Sequence, residues 1–346
     1  MERSFIIPSV FEENSMLFSK VADNFIEGIR IVNFKEKDYI IGNLALKEGV
    51  VPHKLINSSA NDIDYQLLAL SSILISSLGA YNRLVVTIGF PNTTFQLYKK
   101  NAESFFLGNH LICFDGKTFG KNQIEKVEVN VEQVDVIPEI DGCSKAIRHL
   151  FKEKDDFFVA SLGFGTFELA LSSLSGTVHR TAYSTKGISY AVNILENELQ
   201  KEYYLNMLSD QQIERAFQRG SIISNRKRVD ITALRAKALQ SYYQEVISPS
   251  IRKKFNDEDY VNTKKIYLAG GGAMYPELVA LFNEEFKDII EVVVFPEPYL
   301  CAAKGYGINS LSKAKQNGDT EKQERIAYVG IDLGNSNTAI VVNTVD

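Results

Sequence analysis

Three turns in this sequence combine glycine with small polar residues directly after an apolar run. They read DLGNSNT at 332–338, SLGFGT at 161–166 and GGG at 270–272. Because glycine has no Cβ, the amide N–H groups of such a turn can close on a phosphate. The third turn also leads into a predicted helix, whose N-terminal dipole favours an anion. Taken singly, each turn is a weak signal, because a glycine-rich hairpin is more often a plain tight turn and a strand–GGG–helix junction often reflects close packing.

The spacing of the glycines disfavours the two commonest nucleotide fingerprints. Residues 270–275 read GGGAMY and lack the last glycine of the dinucleotide-binding motif. The GKT at 116–118 would need a glycine at position 111 to form a P-loop, and that residue is Leu111. The remaining possibility is a nucleotide held by two β-hairpins and one strand–loop–helix unit.

The elements that must position these turns alternate between strand-like and helix-like patterns, which predicts an α/β protein. The apolar run at 83–90 is typical of a buried parallel strand, whereas the alternating segment 122–140 predicts an edge-type strand pair. Helical patterns dominate 188–259. Residues 312–325 are almost wholly polar and are predicted to form a solvated linker.

Length and composition narrow the class of protein. A chain of 346 residues suits two domains, and its net charge of −5 gives no reason to expect direct binding to nucleic acid or to a membrane. No apolar run reaches the roughly 18 residues of a membrane span, and no leading signal segment is recognisable. The three cysteines and four histidines lack metal-ligand spacing. We therefore expect a cytoplasmic protein without structural zinc.

Taken together, the motifs resemble the actin, sugar-kinase and heat-shock-chaperone ATPase fold. GIDLGNSNTAIVV is similar to its phosphate-1 hairpin, ASLGFGTFELAL to its phosphate-2 hairpin and IYLAGGGAMYPEL to its adenosine motif. LVVTIGFPNTTFQLYKKNAESFFLGNH and VDVIPEIDGCSKAI narrow the resemblance to ParM/StbA-type and archaeal actin-like proteins, over nearly the whole chain. The resemblance implies an α/β, ribonuclease-H-like fold with two similar domains around a nucleotide cleft. Domain I would comprise 1–141 and 299–346, and domain II 142–298 with a helical insert at about 195–260.

The order of the motifs departs from that family. There the phosphate-1 hairpin opens the chain and a helix similar to PYLCAAKGYGI closes it, whereas here the hairpin follows this helix. We therefore predict a circularly permuted chain. A linker of about fourteen residues could span up to ~45 Å, and the new ends would fall at a turn between strands, where cutting loses few contacts.

The resemblance also implies roles for individual residues. Asp332 would order Mg²⁺ through water, and Glu139 would orient the attacking water. The residues expected to bind nucleotide are Gly334, Asn335, Ser336, Asn337, Ser161, Gly163, Phe164, Gly165, Thr166, Gly270, Gly271, Gly272, Met274, Lys186 and Gly187, with Arg235 and Lys237 as further candidates near the base. Without the resemblance, Asp332 could equally cap an Asx turn and Glu139 could be a favourable charge at a helix N-terminus.

Two positions differ from the family pattern. Ala339 stands where actin has a lysine, although the MreB pattern also lacks that lysine. Ser161 stands where the family has an aspartate that serves as a second magnesium or water ligand, and serine cannot supply that charge. We expect binding of ATP or GTP with Mg²⁺ and slow or altered hydrolysis.

The function implied is an actin-like nucleotide-binding protein that polymerises into filaments, for plasmid or DNA segregation or as a prokaryotic cytoskeleton. Its partners would be further copies of itself and a DNA-bound adaptor protein. Two alternatives remain open at this point. One is a sugar or acid kinase of the same fold, for which no distinct sugar-binding aspartate motif is present. The other is a nucleotide-binding monomer, because filament contacts carry no sequence motif.

Overall fold

A computed structural model describes residues 1–54, 59–79, 81–203, 210–224, 226–316 and 326–344. The strands, in chain order, are β1 (Glu2–Pro8), β2 (Val10–Glu13), β3 (Arg30–Phe34), β4 (Lys37–Ile41), β5 (His53–Lys54), β6 (Arg83–Phe90), β7 (Gly108–Asp115), β8 (Ile124–Pro138), β9 (Asp156–Leu162), β10 (Thr166–Ser173), β11 (Gly176–Thr177), β12 (Tyr183–Lys186), β13 (Ser221–Ser224), β14 (Lys227–Asp230), β15 (Thr263–Ala269), β16 (Glu291–Val294), β17 (Ile326–Leu333) and β18 (Asn337–Asn343).

The helices are α1 (Asn43–Glu48), α2 (Ile63–Ser76), α3 (Phe95–Phe106), α4 (Glu139–Phe151), α5 (Ser189–Tyr203), α6 (Asp210–Arg219), α7 (Thr232–Tyr242), α8 (Ser248–Lys254), α9 (Asp257–Val261), α10 (Pro276–Glu285) and α11 (Cys301–Gln316). A π-helical turn (Tyr243–Ile247) joins α7 to α8. Among the helices in the described ranges, none is long and apolar enough to cross a membrane.

The chain divides into two compact units, Met1–Glu153 with Leu300–Asp346 (unit 1) and Lys154–Tyr299 (unit 2). The first boundary falls after Glu153, later than the predicted boundary after residue 141. The reason is that α4 packs against α11, so the whole helix belongs to unit 1. Gly142 and Gly305 make this close packing possible, because a Cβ on Gly305 would overlap the carbonyl oxygen of Gly142.

Unit 1 is built on a sheet with the strand order β1-β18-β17-β6-β8-β7-β3-β4-β2-β5. The last two strands of the chain lie inside this sheet, where β18 is antiparallel to β1 and β17 is parallel to β6. β17 and β6 are apolar along almost their whole length and buried on both faces, as interior parallel strands should be. The terminal hairpin is therefore an integral part of the sheet.

Two expectations about unit 1 need correction. Residues 122–140 do not form an edge-type pair but one long strand, β8, which lies between β6 and β7 in the sheet. Its alternating half pairs with β7, where one face is exposed, and its second half pairs with β6. Residues 312–316 are the last turns of α11 rather than linker, and the remainder of the predicted linker, 317–325, lies outside the described residues.

Unit 2 is built on a second sheet with the order β11-β10-β9-β15-β16, with β12 added along β10. Strands β9, β15 and β16 are parallel, and β9 and β10 form an antiparallel hairpin. One face of this sheet packs on a core that includes Phe158, Leu169 and Phe282. The segment predicted as a helical insert contains most of α5, then α6 to α9, and also a two-stranded hairpin, β13–β14, that the sequence patterns did not indicate.

Candidate functional site

In unit 1, the turn between β17 and β18 carries Gly334, Asn335 and Ser336, and Asn337 begins β18. A Cβ on Gly334 would lie 2.7 Å from the carbonyl oxygen of Asn337, so the turn is tight enough to require glycine there. The amide of Ser9 donates to the carbonyl of Ser336 at 3.0 Å. The buried hydroxyls of Ser9 and Thr338 lie 2.9 Å apart and share a hydrogen bond. The turn is therefore fixed by the β1–β2 junction.

Two carboxyl groups come together beside this turn. Asp332 is the second-last residue of β17, next to the turn. Glu139 is the first residue of α4, directly after β8. Burial, together with the negative charge of Glu139, raises the pKa of Asp332 to about 8. Asp332 accepts no hydrogen bond from the described residues, which removes the support for an Asx-turn cap at this position.

The chemistry of this acid pair suits a hard divalent cation. Magnesium prefers carboxylate and phosphate oxygens and keeps several waters, so it needs only one or two protein carboxylates. No cationic group in the described part of unit 1 acts to lower the Asp332 pKa. A bound Mg²⁺ would supply that missing positive charge. No group of three or more His, Cys, Asp or Glu residues is arranged as a metal cage within the described ranges, so this ion would depend on water and on a ligand for its other contacts.

Two cysteines that the sequence analysis treated as scattered lie next to the acid pair. Cys143 is one helical turn beyond Glu139, and the Cys301 thiol lies 3.8 Å from the Cys143 carbonyl oxygen. Both thiols are free and buried. The hydrogen bond with Cys301, burial, and the charges of Cys301, Glu139 and Asp332 raise the pKa of the Cys143 thiol. These side chains therefore belong to the contact between α4 and α11, close to Glu139.

In unit 2, the turn between β9 and β10 contains Gly163, Phe164 and Gly165, and it is fixed by the segment that follows β12. Three backbone hydrogen bonds fix it. The Gly187 amide donates to the Gly165 carbonyl at 3.1 Å, the Ile188 amide to the Gly163 carbonyl at 3.0 Å, and the Ser189 amide to the Phe164 carbonyl at 2.9 Å. A Cβ on Gly187 would lie 2.5–2.6 Å from backbone atoms of this turn. These three hydrogen bonds engage the carbonyls of the turn and fix its backbone in one conformation.

The three consecutive glycines have two different roles. Gly270 has a φ of +78°, and a Cβ on it would lie 2.6 Å from the carbonyl of Leu162, at the end of β9. A Cβ on Gly272 would lie 2.7 Å from the Leu162 and Ile188 side chains, so close packing explains both positions. Gly271 is exposed and has open space where a Cβ would stand. Gly271 and the exposed Met274 are therefore the parts of this loop that a ligand can reach.

Ser161 faces a buried acid that the sequence analysis missed. Ser161 is buried on β9 and lies directly opposite Glu168 on β10, whose exposed fraction is 0%. Directly opposed residues of antiparallel strands share one face, with their Cβ atoms about 5 Å apart. Glu168 thus places a buried carboxyl group beside Ser161. A single glutamate within the apolar run FELAL was the available signal.

The other candidates in unit 2 are placed less favourably for a ligand. The ammonium of Lys186 lies over the Tyr190 ring, 5.1 Å from its centroid. Arg235 pairs with Glu277 at 2.7 Å and lies over the Tyr275 ring, so its guanidinium is committed to packing. Burial, the largest cause, raises the Tyr275 pKa to about 12.

Two family models match the chain. The model described as "Actin like proteins N terminal domain" matches residues 2–140, and the one described as "Archaeal actin homologue MreB-like, C-terminal" matches residues 162–278. The search of curated proteins found no match.

Solved structures of the same fold cover most of the chain. The archaeal actin homolog Ta0583 is 15% identical in sequence to this chain, with a TM-score of 0.69. The matched region comprises 90% of this chain and 93% of the Ta0583 chain. The same homolog in complex with ADP is 17% identical, with 90% and 93% coverage and a TM-score of 0.68. A 15-stranded ParM filament from Clostridium botulinum is 17% identical, with 90% and 92% coverage and a TM-score of 0.65. At these identities the likeness shows the fold.

Proposed function

The chain belongs to the actin-like protein family, and from this premise we propose that it binds ATP with Mg²⁺ and assembles into filaments. The observation that carries the proposal is the acid pair Asp332–Glu139 beside the glycine turn of β17–β18. A tight turn rich in amide donors suits phosphate, and the carboxyl pair suits the metal ion that accompanies a nucleotide.

Unit 1 would supply the groups that act on the terminal phosphate. Gly334, Asn335 and Ser336, together with Asn337, would donate hydrogen bonds to phosphate oxygens. Asp332 would hold Mg²⁺ through water. Magnesium would neutralise charge on the phosphates, and Glu139 at the start of α4 would orient a water for attack.

Unit 2 would supply a second set of contacts. The amides of the β9–β10 turn, from Gly163 to Thr166, suit phosphate, and Gly271 and Met274 suit the nucleoside because they alone in their loop are open. Ser161 lacks the charge of the family's aspartate, so we propose slow turnover, with Glu168, directly opposite Ser161, as the source of a replacement carboxylate.

Self-association is the second part of the proposal. A ParM of similar fold forms a 15-stranded filament, and Ta0583 has been crystallised with ADP. By this analogy the protein would assemble in the cytoplasm and move DNA, such as a plasmid, through a DNA-bound adaptor protein. We also propose that the chain is a circular permutation of the family order, because its terminal hairpin occupies the sheet position between β1 and β6.

The experiment that tests nucleotide binding uses Gly271→Val. Nothing lies within 4 Å of a Cβ at this position and its φ is ordinary, so the protein should fold with unchanged thermal stability. We expect the variant to lose saturable binding of labelled ATP and GTP in the presence of Mg²⁺, whereas an exposed control change in the same unit, Leu174→Val, should retain it. Undiminished binding by a folded Gly271→Val protein would refute the assigned nucleoside site.

Filament formation is tested separately by pelleting and negative-stain microscopy with and without ATP and Mg²⁺. We expect filaments that depend on nucleotide, and we expect Glu139→Gln to bind ATP but release phosphate more slowly. A protein that binds nucleotide yet stays monomeric at high concentration would support the monomer alternative and contradict assembly. Release of ADP that depends on an added sugar or acid would instead indicate the kinase alternative.

A further inference from the structure

A separate pocket in unit 2 lies between helix α6 and the β13–β14 hairpin. Its volume is about 310 Å³, and the lining side chains used below are Arg215, Arg219, Ser221, Ile222 and Arg228. None of them belongs to the turns assigned above to nucleotide. We call this site the arginine pocket.

The local sequence explains how three arginines come to line one pocket. Arg215 and Arg219 are four residues apart on α6 and therefore lie on the same helix face. Gly220, with a φ of +68°, then turns the chain sharply into β13. The amide of Gly220 donates to the Ala216 carbonyl at 2.8 Å, and the amide of Ile231 donates to the Gly220 carbonyl at 2.9 Å. These bonds hold the hairpin, with Arg228, against the helix.

The charge of the pocket is of one sign. Among the described residues that line it, every ionisable one is an arginine and none carries a carboxylate. Within the described ranges, the guanidinium groups of Arg215, Arg219 and Arg228 make no ion pair and no hydrogen bond. Like charges four residues apart on a helix repel each other weakly, and a bound anion would relieve that repulsion.

Other arginines of unit 2 show the usual solution to this problem. Arg180 pairs with Asp259, Arg235 with Glu277 and Arg252 with Glu285. The arginine pocket differs because its positive charges are gathered around a concavity and are not paired with a carboxylate from the described part of the chain. The pocket is therefore positively charged, whereas the chain as a whole has a net charge of −5.

We propose that the arginine pocket binds a small ligand that carries two or more adjacent phosphate groups. The planar guanidinium fork matches phosphate oxygens in two parallel hydrogen bonds, and arginine is the side chain best suited to this contact. The volume falls at the lower end of the range for small-molecule sites. The Ser221 hydroxyl adds a neutral donor, and Ile222 gives the pocket an apolar, buried wall. The inference does not rest on the proposed nucleotide site.

An extended nucleic-acid backbone offers the same phosphate chemistry but fits less well. A long polyanion would have to approach a protein whose overall charge is negative, and the pocket is a short concavity rather than a continuous basic track. We therefore assign the pocket to a compact di- or triphosphate group.

Isothermal titration of the full chain with tripolyphosphate, in low salt and with ADP and Mg²⁺ at saturation, tests the assignment. We expect one site in the wild-type protein and binding at least about tenfold weaker in Arg219→Gln/Arg228→Gln, because two charge-assisted contacts are lost. Both arginines are exposed, so the variant should fold. The matched control, Lys264→Gln/Lys287→Gln, changes the net charge equally at exposed positions of the same unit and should bind as the wild type does.

Three results would overturn the proposal. Equal weakening in the pocket variant and in the lysine control would show a response to net charge only. Loss of tripolyphosphate uptake when ADP and Mg²⁺ are present would assign the binding to the glycine turns. Pocket-dependent binding of a single-stranded oligonucleotide without uptake of tripolyphosphate would assign the arginines to nucleic acid. Should the variant unfold, protection of Arg219 and Arg228 from phenylglyoxal by tripolyphosphate tests the wild-type protein directly, and absence of protection refutes the site.

Discussion

Replacing Asp332 by asparagine should stabilise the nucleotide-free protein while it abolishes stabilisation by Mg²⁺ and ATP. The two effects share one cause, which is the cost of holding a carboxylate in a partly buried position next to Glu139. Burial and the neighbouring charge raise the Asp332 pKa from its ordinary 3.8 to about 8. Asparagine has nearly the same shape and no charge, so it removes the cost and also the proposed metal ligand.

The magnitude follows from linkage between proton binding and folding. Since the native state binds the proton more tightly than the unfolded chain, native stability falls as the pH rises from the ordinary pKa toward 8. From the ordinary pKa of 3.8 to pH 7 is about three pH units, over which the unfolding free energy would fall by about 4 kcal/mol. Part of Asp332 remains open to water, which reduces the penalty, so we expect Asp332→Asn to raise the unfolding free energy at pH 7 by about 1–3 kcal/mol.

Chemical denaturation at pH 5 to 8, in a chelator and then with Mg²⁺ and ATP, measures both effects. In the chelator the wild type should lose stability as the pH rises, and Asp332→Asn should lose less. With Mg²⁺ and ATP only the wild type should gain stability. Asp62 provides the matched control, because hydrogen bonds from Ser59 lower its pKa, so Asp62→Asn should destabilise the protein. A variant at 332 that is less stable than the wild type in the chelator, or that gains as much from Mg²⁺ and ATP, would refute the reasoning.

Three further predictions concern other parts of the chain. Gly330→Ala should lower the unfolding free energy by about 1–3 kcal/mol in denaturant titration, because its Cβ would overlap the carbonyl of Ala303 on α11. Asp259→Asn should cost about 1–3 kcal/mol at pH 7 and flatten the acid limb of a stability–pH curve, since the pairing with Arg180 lowers the Asp259 pKa and its contribution is lost as the pH falls through that value. Ser161→Asp should raise ATP turnover in a phosphate-release assay; unchanged turnover would mean that the site is organised in another way.

The sequence predicted the glycine turns and their strands well because each is a local pattern. An apolar run, a glycine turn and a second apolar run specify a hairpin within about fifteen residues, and the structure has β17–β18 and β9–β10 there. The same reasoning placed Glu139 at a strand–helix junction, since Pro138 ends β8 and α4 follows directly.

The features that sequence reasoning missed depend on contacts between distant segments. Alternation in 122–140 is the same whether the strand is at an edge or inside the sheet, because one exposed face is enough to produce it. The pairing of Ser161 with Glu168 depends on the register of β9 and β10, which composition does not specify. Cys143 and Cys301 meet only because α11 packs on α4.

The position of the terminal hairpin connects the fold of unit 1 with its chemistry. Asp332 is brought beside Glu139 only when β17 pairs with β6, whose other neighbour, β8, leads directly into Glu139. The outer strand of the hairpin, β18, pairs with β1, so the first and last strands of the chain are adjacent. Formation of the acid pair therefore requires the long-range pairing of β17 with β6, in which Ile326 lies opposite Arg83. Closing a loop of this length costs chain entropy before the pairing can form, so the proposed metal-binding carboxylate is brought beside Glu139 only once β17 has joined the sheet.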